Sequence, residues 1–250
     1  MKYDVKLRYL ARAFVDAETI APTADDISEL VSGALVGMTA GVIGEQGDDG
    51  RIKQRTFFAT AARDHLLSLG SLSFDYVGLP TDFNGTNLDW AAFVDQAPAL
   101  LEATTTYFGR RPHRLALIQE GMLASMPEAE MGALQARLMS NPTEFGRSAP
   151  FEWDWRAAFR EQIEFGGLTE ACNKVVTIER TAGVLSVQPV DRPIAQEKYD
   201  RVRVDVDLNT SATETRGRFD ADAIKAFFAV AKGKHEEMSA TLARQIEGKS

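Results

Sequence analysis

The chain is short of the residues that most often announce a chemistry. A single cysteine, Cys172, excludes a disulfide framework within the chain, and a structural zinc site would need ligands of other kinds. Three histidines, His65, His113 and His235, lie far apart and have no partner at metal-ligand spacing, so each reads as an ordinary surface or core residue. There is no P-loop, no GxGxxG after a strand, no HExxH, no GxSxG and no CxxC pair. The common phosphate-cradling, hydrolase and metal motifs are therefore missing, and neither a cofactor nor a metal is expected. Long apolar runs are missing too. No segment approaches membrane-spanning length and MKYDVKLRYL lacks a signal-peptide core. A cytoplasmic, reducing location without membrane contact is expected.

Positive charge is also the scarcer sign. Lys and Arg number 28 against 36 Asp and Glu, for a net charge of −8. That balance argues against a dominant nucleic-acid footprint, although RTFFATAAR and GRRPHR could contribute a local basic patch. What remains is an ordinary globular composition, 44% hydrophobic over 250 residues, enough for one large domain or two small ones.

Periodicity sets out the elements. Residues 3 to 14 read as a strand. Thr23 is placed to cap a helix with Asp25 and Asp26 in its first turn. Ile27, Leu30, Val31, Ala34, Leu35 and Met38 then follow at helical spacing. GEQGDDGR reads as a loop. IKQRTFFATAAR and HLLSLGSLSFDYVGL read as strands, with a turn at Gly70 and Ser71, followed by the loop PTDFNGTN. LDWAAFVDQAPALLEATTTYF is a helix with Asp89 near its start and a kink or break expected at Pro98. HRLALIQEGML is a strand with Glu120 at its exposed end, and PEAEMGALQARLMS is a short helix. NPTEFGRSAP is a loop. WRAAFREQIEF, NKVVTIERT and VLSVQPV are strands, RPIAQEKYD a loop, and RVRVDVDLNTS the clearest strand. A final helix from about Asp220 to Gln245 carries Ile224, Phe227, Phe228, Ala231, His235, Met238 and Leu242 on one core-facing stripe.

The resulting order predicts an α+β fold, antiparallel sheets covered by helices. It also suggests two similar strand-helix-strands-helix halves, residues 1–109 and 110–250, in one compact unit. No residue-level repeat accompanies the pattern.

Candidate chemistry lies in alternating charged rows. In RVRVDVDLN, Arg201, Arg203, Asp205, Asp207 and Asn209 share one strand face, with the two aspartates about 7 Å apart. They could hold a cation if other oxygens converged, or form cross-strand ion pairs. Lys6, Arg8 and Arg12 form a second row, and Glu179 with Thr177 a third. If the sheet curls, Lys6, Arg8, Glu179, Arg201, Arg203, Asp205 and Asp207 could line a charged cavity for a nucleotide or polyphosphate. Trp153 and Trp155 share a face in PFEWDWR and read as core more readily than as a stacking platform.

DWAAFVDQAPALLEATTTYF, then RRPHRLALIQEGML, DRVRVDVDLN and the final helix KAFFAVAKGKHEEMSATL resemble a sporadically distributed, poorly characterised bacterial family of similar length. Its members carry a central strand like R-L-G-L-R-Y-I-N and a later aspartate–apolar–aspartate step. Arg114, Leu115 and Leu117 match the first, and Asp205, Val206 and Asp207 the second. Ile118, Gln119, Glu120 and Gly121 depart from it. The resemblance implies a setting among mobile or host-defence genes and no particular chemistry.

The leading expectation is a non-enzymatic interaction or regulatory subunit with a protein partner or a second copy of itself. A nucleotide- or polyphosphate-binding enzyme comes second, and a nucleic-acid-binding module, disfavoured by the charge, third.

Overall fold

A computed structural model describes residues 2–46, 50–139, 150–187 and 194–248. Most of the loop expected at 141–150, three residues of GEQGDDGR (47–49) and the segment 188–193 lie outside the described residues.

Nine strands form one antiparallel sheet in the order β2-β3-β4-β5-β1-β6-β9-β8-β7, with β2 and β7 as free edges. They are β1 (Val5–Phe14), β2 (Met38–Gln46), β3 (Ile52–Thr60), β4 (His65–Leu69), β5 (Ser73–Gly78), β6 (Arg114–Met122), β7 (Trp153–Phe165), β8 (Leu168–Val187) and β9 (Ala195–Thr210). The helices are α1 (Ala24–Ser32), α2 (Trp90–Tyr107), α3 (Glu128–Leu138) and α4 (Ala221–Glu247). The expected α+β class with helices over an antiparallel sheet is what is found. None of these helices is long and apolar enough to cross a membrane.

The helix starts follow the capping residues. Thr23 and Asp26 form a reciprocal capping box on α1. Asp89 accepts from the Ala92 amide at 3.1 Å, and Asp220 from the Ala223 amide at 2.9 Å. α2 runs unbroken through Pro98, so of the kink or break expected there the break does not occur. Packing outweighs the lost backbone bond, because Ala97, Leu100 and Leu101 are buried on either side of the proline.

Three other expectations are corrected by long-range contacts. The first helix stops at Ser32, not Met38. Leu35 and Met38 still reach the core, but from a turn and from the start of β2, so the apolar spacing is real and its helical reading is not. NKVVTIERT and VLSV form one continuous strand, β8. Most of the supposed loop RPIAQEKYD is the beginning of β9, since residues 195–200 pair in register with 187–182. Gly183, between the two expected strands, faces Tyr199, where a Cβ would lie 3.1 Å from the phenol oxygen.

All four helices pack on one face of the sheet. Tyr9, Ala11 and Ala13 of β1, Leu115 and Leu117 of β6, and Leu208 of β9 meet Phe93, Leu101, Phe227 and Phe228 of α2 and α4. Val202, Val204 and Val206 lie with Met238 and Leu242 of α4, Met131 and Leu134 of α3, and Trp153. The C-terminal stripe and Trp153 are thus core, as expected. Lys225–Glu102 (2.8 Å) and Lys232–Asp95 (2.7 Å) tie α4 to α2.

Between these layers Tyr3 lies flat across Gly121. A Cβ at Gly121 would sit 2.2 Å from the Tyr3 ring. Gly121→Ala therefore displaces a buried tyrosine, and a loss of about 1–3 kcal/mol is expected in urea unfolding. An unchanged midpoint at the same slope would show that the ring has room to move.

Candidate functional site

The charged row of β9 lies on the sheet face away from the helices. Cross-strand partners share a face, so Asp205 is level with Glu120 of β6 and Thr177 of β8, and Arg203 with Glu179. Arg8 of β1 pairs with Glu120 in turn. The side chains join accordingly. Arg203 donates two hydrogen bonds to Asp205 (3.0 and 2.9 Å) and one to Glu179 (3.2 Å), and lies 3.4 Å from Glu120. Arg8 holds the other side of Glu120. Glu120 is therefore only 8% exposed and sits at the centre of a network, not at a solvent-facing strand end.

Arg8, Glu179, Arg203 and Asp205 thus come together. The other candidates do not join them. Asp207 is bonded by Asn209 Nδ2 at 3.0 Å, and Arg114 and Asn173 both donate to Asn209 Oδ1. Arg201 pairs with Asp4 at the far end of the row. Lys6 is on the opposite face. The β1–β6 register shifts between Lys6 and Arg8, and this bulge places Lys6 opposite Gly121 on the helix side. The expectation of one row through Lys6, Arg8 and Arg12 is corrected by that extra residue. Arg55, from the supposed basic patch, is buried and donates to Glu45 and the Glu18 carbonyl.

No three His, Cys, Asp or Glu side chains converge to hold a metal among the described residues. Burial pushes Asp205 up to about 6, opposed by Arg203 and reinforced by Glu120 and Glu179. Asp207 is also raised by burial.

A different arrangement lies on the helix face. A cavity of about 630 Å³ opens over the central pair of strands. Its floor carries Lys6, Tyr9 and Gln119; Tyr9 and Gln119 are cross-strand partners. The α4 wall presents His235, Glu236 and Ser239. Leu88, Asp89 and Trp90, at the start of α2, form the facing wall, and Lys2 and Tyr3 close one end. Lys6 Nζ donates to the Leu88 carbonyl, and the Trp90 ring lies 5.0 Å from that of His235 and 5.1 Å from that of Tyr9.

Two residues beside this cavity each carry a side-chain atom without a hydrogen-bond partner, Tyr3 Oη and His235 Nδ1, and both atoms are buried rather than open to it. His235 is 1% exposed, and its Nε2 lies 2.7 Å from the Leu117 carbonyl. A carbonyl only accepts, so Nε2 carries the proton and Nδ1 of the neutral ring is an acceptor. Burial lowers the ring's pKa to about 4, which keeps it neutral near pH 7. Burial also raises the Tyr3 phenol, which stays a donor. Tyr9 is pushed up to about 12 by burial, with the Gln119 side chain acting against this.

No family model, curated protein or solved structure matches this chain. The site must be read from its own geometry. Sequence reasoning missed Tyr3, Tyr9 and Trp90. It noticed Gln119 and His235, but as a departure from the family's central strand and a member of a core stripe. Those two interruptions of apolar patterns on facing elements were the available signal.

Two measurements follow. Asp205 has a folded pKa above its unfolded value, so its contribution favours folding below about pH 4 and is lost as pH rises through 6. Relative to Asp205→Asn, the parent should therefore be more stable at pH 4 than at pH 8 by about 2–3 kcal/mol; parallel profiles would remove this account. His235 has the opposite sign, its stabilisation being present above pH 6.5 and lost towards 4. Its imidazole proton resonances should hold constant from pH 8 to pH 5, and a midpoint near 6.5 would contradict its burial.

Proposed function

We propose that the protein is a non-enzymatic regulatory or interaction subunit that responds to a small molecule held in the cavity between α2, α4 and the central strands. The observation that carries this reading is the cavity itself, in which the Trp90 and Tyr9 rings and the polar side chains of Lys6, Asp89, Gln119 and Glu236 meet. The volume falls within the ~300–1,000 Å³ typical of small-molecule sites.

Binding is favoured over catalysis because the imidazole beside the cavity is buried with its acceptor nitrogen closed off and its pKa held near 4, which makes it a poor proton acceptor at neutral pH. An occupant touches α2 and α4 together, so their relative packing offers a way for a protein partner or a second copy of the chain to read the site. Placement in a bacterial defence or mobile-element system rests on the family resemblance alone. The two-halves reading, 1–109 and 110–250, is supported by topology, since β5 returns beside β1 as β9 returns beside β6 and each return leads to a long helix.

A nucleotide or polyphosphate on the charged sheet face is the weaker reading. Arg8 and Arg203, its natural phosphate ligands, are engaged by Glu120, Glu179 and Asp205.

Thermal-shift screening of a metabolite library tests the proposal. A ligand at about a hundred times its Kd adds about 2.7 kcal/mol of stability, and Lys6→Gln and Trp90→Ala, which change the cavity lining, should each weaken the shift. A protein that is stabilised by nothing, recovers no partner from its host and stays monomeric would overturn it.

A further inference from the structure

The sheet ends in two free strands, and their edges differ. An outer strand leaves a row of backbone amides and carbonyls unpaired, and charged side chains usually keep such an edge from joining another chain. β7 has this protection, with Asp154, Arg156, Arg160, Glu161 and Glu164 along it. β2 does not. Its residues Met38–Gly44 carry no charge, and Val42 and Ile43, on opposite faces of the strand, are half or more exposed. The next residue, Glu45, is drawn inward, its carboxylate accepting from Arg55 and from the Ser71 amide. Among the described residues no strand pairs with the outer side of β2. Gly41 stands at the middle of the uncharged stretch. The Phe57 ring of the paired strand β3 lies over it, where a Cβ would be 2.5 Å from the ring.

Resting on the reading of the chain as an interaction subunit, we infer that its partner is a second copy, joined by antiparallel pairing of β2 with β2 about a two-fold axis through Gly41. Such an axis stands perpendicular to the sheet, since only that orientation sets a strand antiparallel to its own copy within one sheet. Positions on the helix side therefore meet positions on the helix side. With Gly41 on the axis, Val42 meets Ala40, Ile43 meets Thr39 and Met38 meets Gly44. Each larger side chain faces a smaller one, and no charge faces another. Gly41 meets its own copy, and the two Phe57 rings, one over each glycine, come about one strand spacing apart, ~5 Å, close enough to pack. Charge favours the same place. At a net charge of −8 two copies repel, and the uncharged edge lets them approach without bringing carboxylates together. A foreign strand could use the same backbone groups, but it would not call for sizes matched about Gly41.

Sedimentation equilibrium of the full chain from about 1 to 300 μM tests this, as an interface this small suits a dimer of micromolar affinity and not a permanent one. A monomer–dimer equilibrium is expected. Val42→Glu combined with Ile43→Glu should weaken it about tenfold or more by placing like charges across the axis. Both side chains are exposed in the single chain, so this variant should keep its circular dichroism and urea midpoint. Ala158→Lys, at an exposed position on the β7 edge, should leave the dimer unchanged. Copies with Ala40→Cys, mixed with copies with Val42→Cys, should form the mixed disulfide on mild oxidation faster than either forms its own, the native Cys172 being buried. A chain that stays monomeric throughout overturns the inference, as does a dimer indifferent to the two glutamates or lost on Ala158→Lys. Homodisulfides that form first overturn the axis at Gly41. In each of these cases a thermal shift with a metabolite, or a different partner recovered from the host, would leave the broader reading standing, so the two fail separately.

Discussion

The pairing of β1 with β6 is the constraint on which both faces of the molecule depend. These two strands join the two sets of strands into one sheet, and their register puts Tyr9 opposite Gln119 and Ala11 opposite Leu117 on the helix side. A shift of one residue would exchange the faces, burying arginines beneath α2 and α4 and exposing the core. The register holds because alternate positions are so unlike: Ala11, Ala13, Leu115 and Leu117 are sealed in the core, while Arg8, Arg12, Arg114 and Glu120 need charged or wet surroundings. The bulge between Lys6 and Arg8 breaks this alternation once. It moves a cation from the charged face to the floor of the cavity, so one extra residue in one strand decides which face receives Lys6.

On the open face, charge is laid out so that each strand answers its neighbour. Arg8, Glu120, Arg203 and Glu179 alternate in sign across β1, β6, β9 and β8, and Asp205 and Arg203 share β9. Arg12 reaches outward to Asp75 of β5 with two bonds of 2.7 and 2.5 Å. Such pairs in partial exposure add little stability each. Their larger effect is on specificity, because like charges brought level by a slipped register would repel. Asp205 feels the setting most: burial raises its pKa, Arg203 opposes the rise, and the neighbouring Glu120 and Glu179 add to it.

The features legible in the sequence were those set by near neighbours along the chain. The alternation of β9 from Arg201 onward, the caps at Thr23, Asp89 and Asp220, and the apolar stripe of α4 all depend on spacings of two to four residues. The features missed were those supplied from a distance. Residues 195–200 are polar and loop-like by themselves, and become strand because 182–187 extend far enough to pair with them. Glu120 looked exposed because its two arginines come from β1 and β9. Leu35 and Met38 kept helical spacing while leaving the helix, because a turn and a strand can present the same two side chains to the same core. Lys6 was misassigned because strict alternation cannot anticipate a bulge.

The two faces also differ in how their charges are met. On the open face the guanidinium of Arg203 and the carboxylates around it answer one another, while Arg114 Nε, further along β6, is buried without a hydrogen-bond partner. Beneath the helices the chain places the buried Gln119 and His235 beside a cavity that Lys6, Asp89 and Glu236 also line. His235 answers the Leu117 carbonyl through Nε2 and packs its ring on Trp90, so it ties α4 to β6 and to α2 at once. Charge and aromatic surface meet in that recess on the helix side, and so the weight of the functional reading falls there and not on the charged strand beside it.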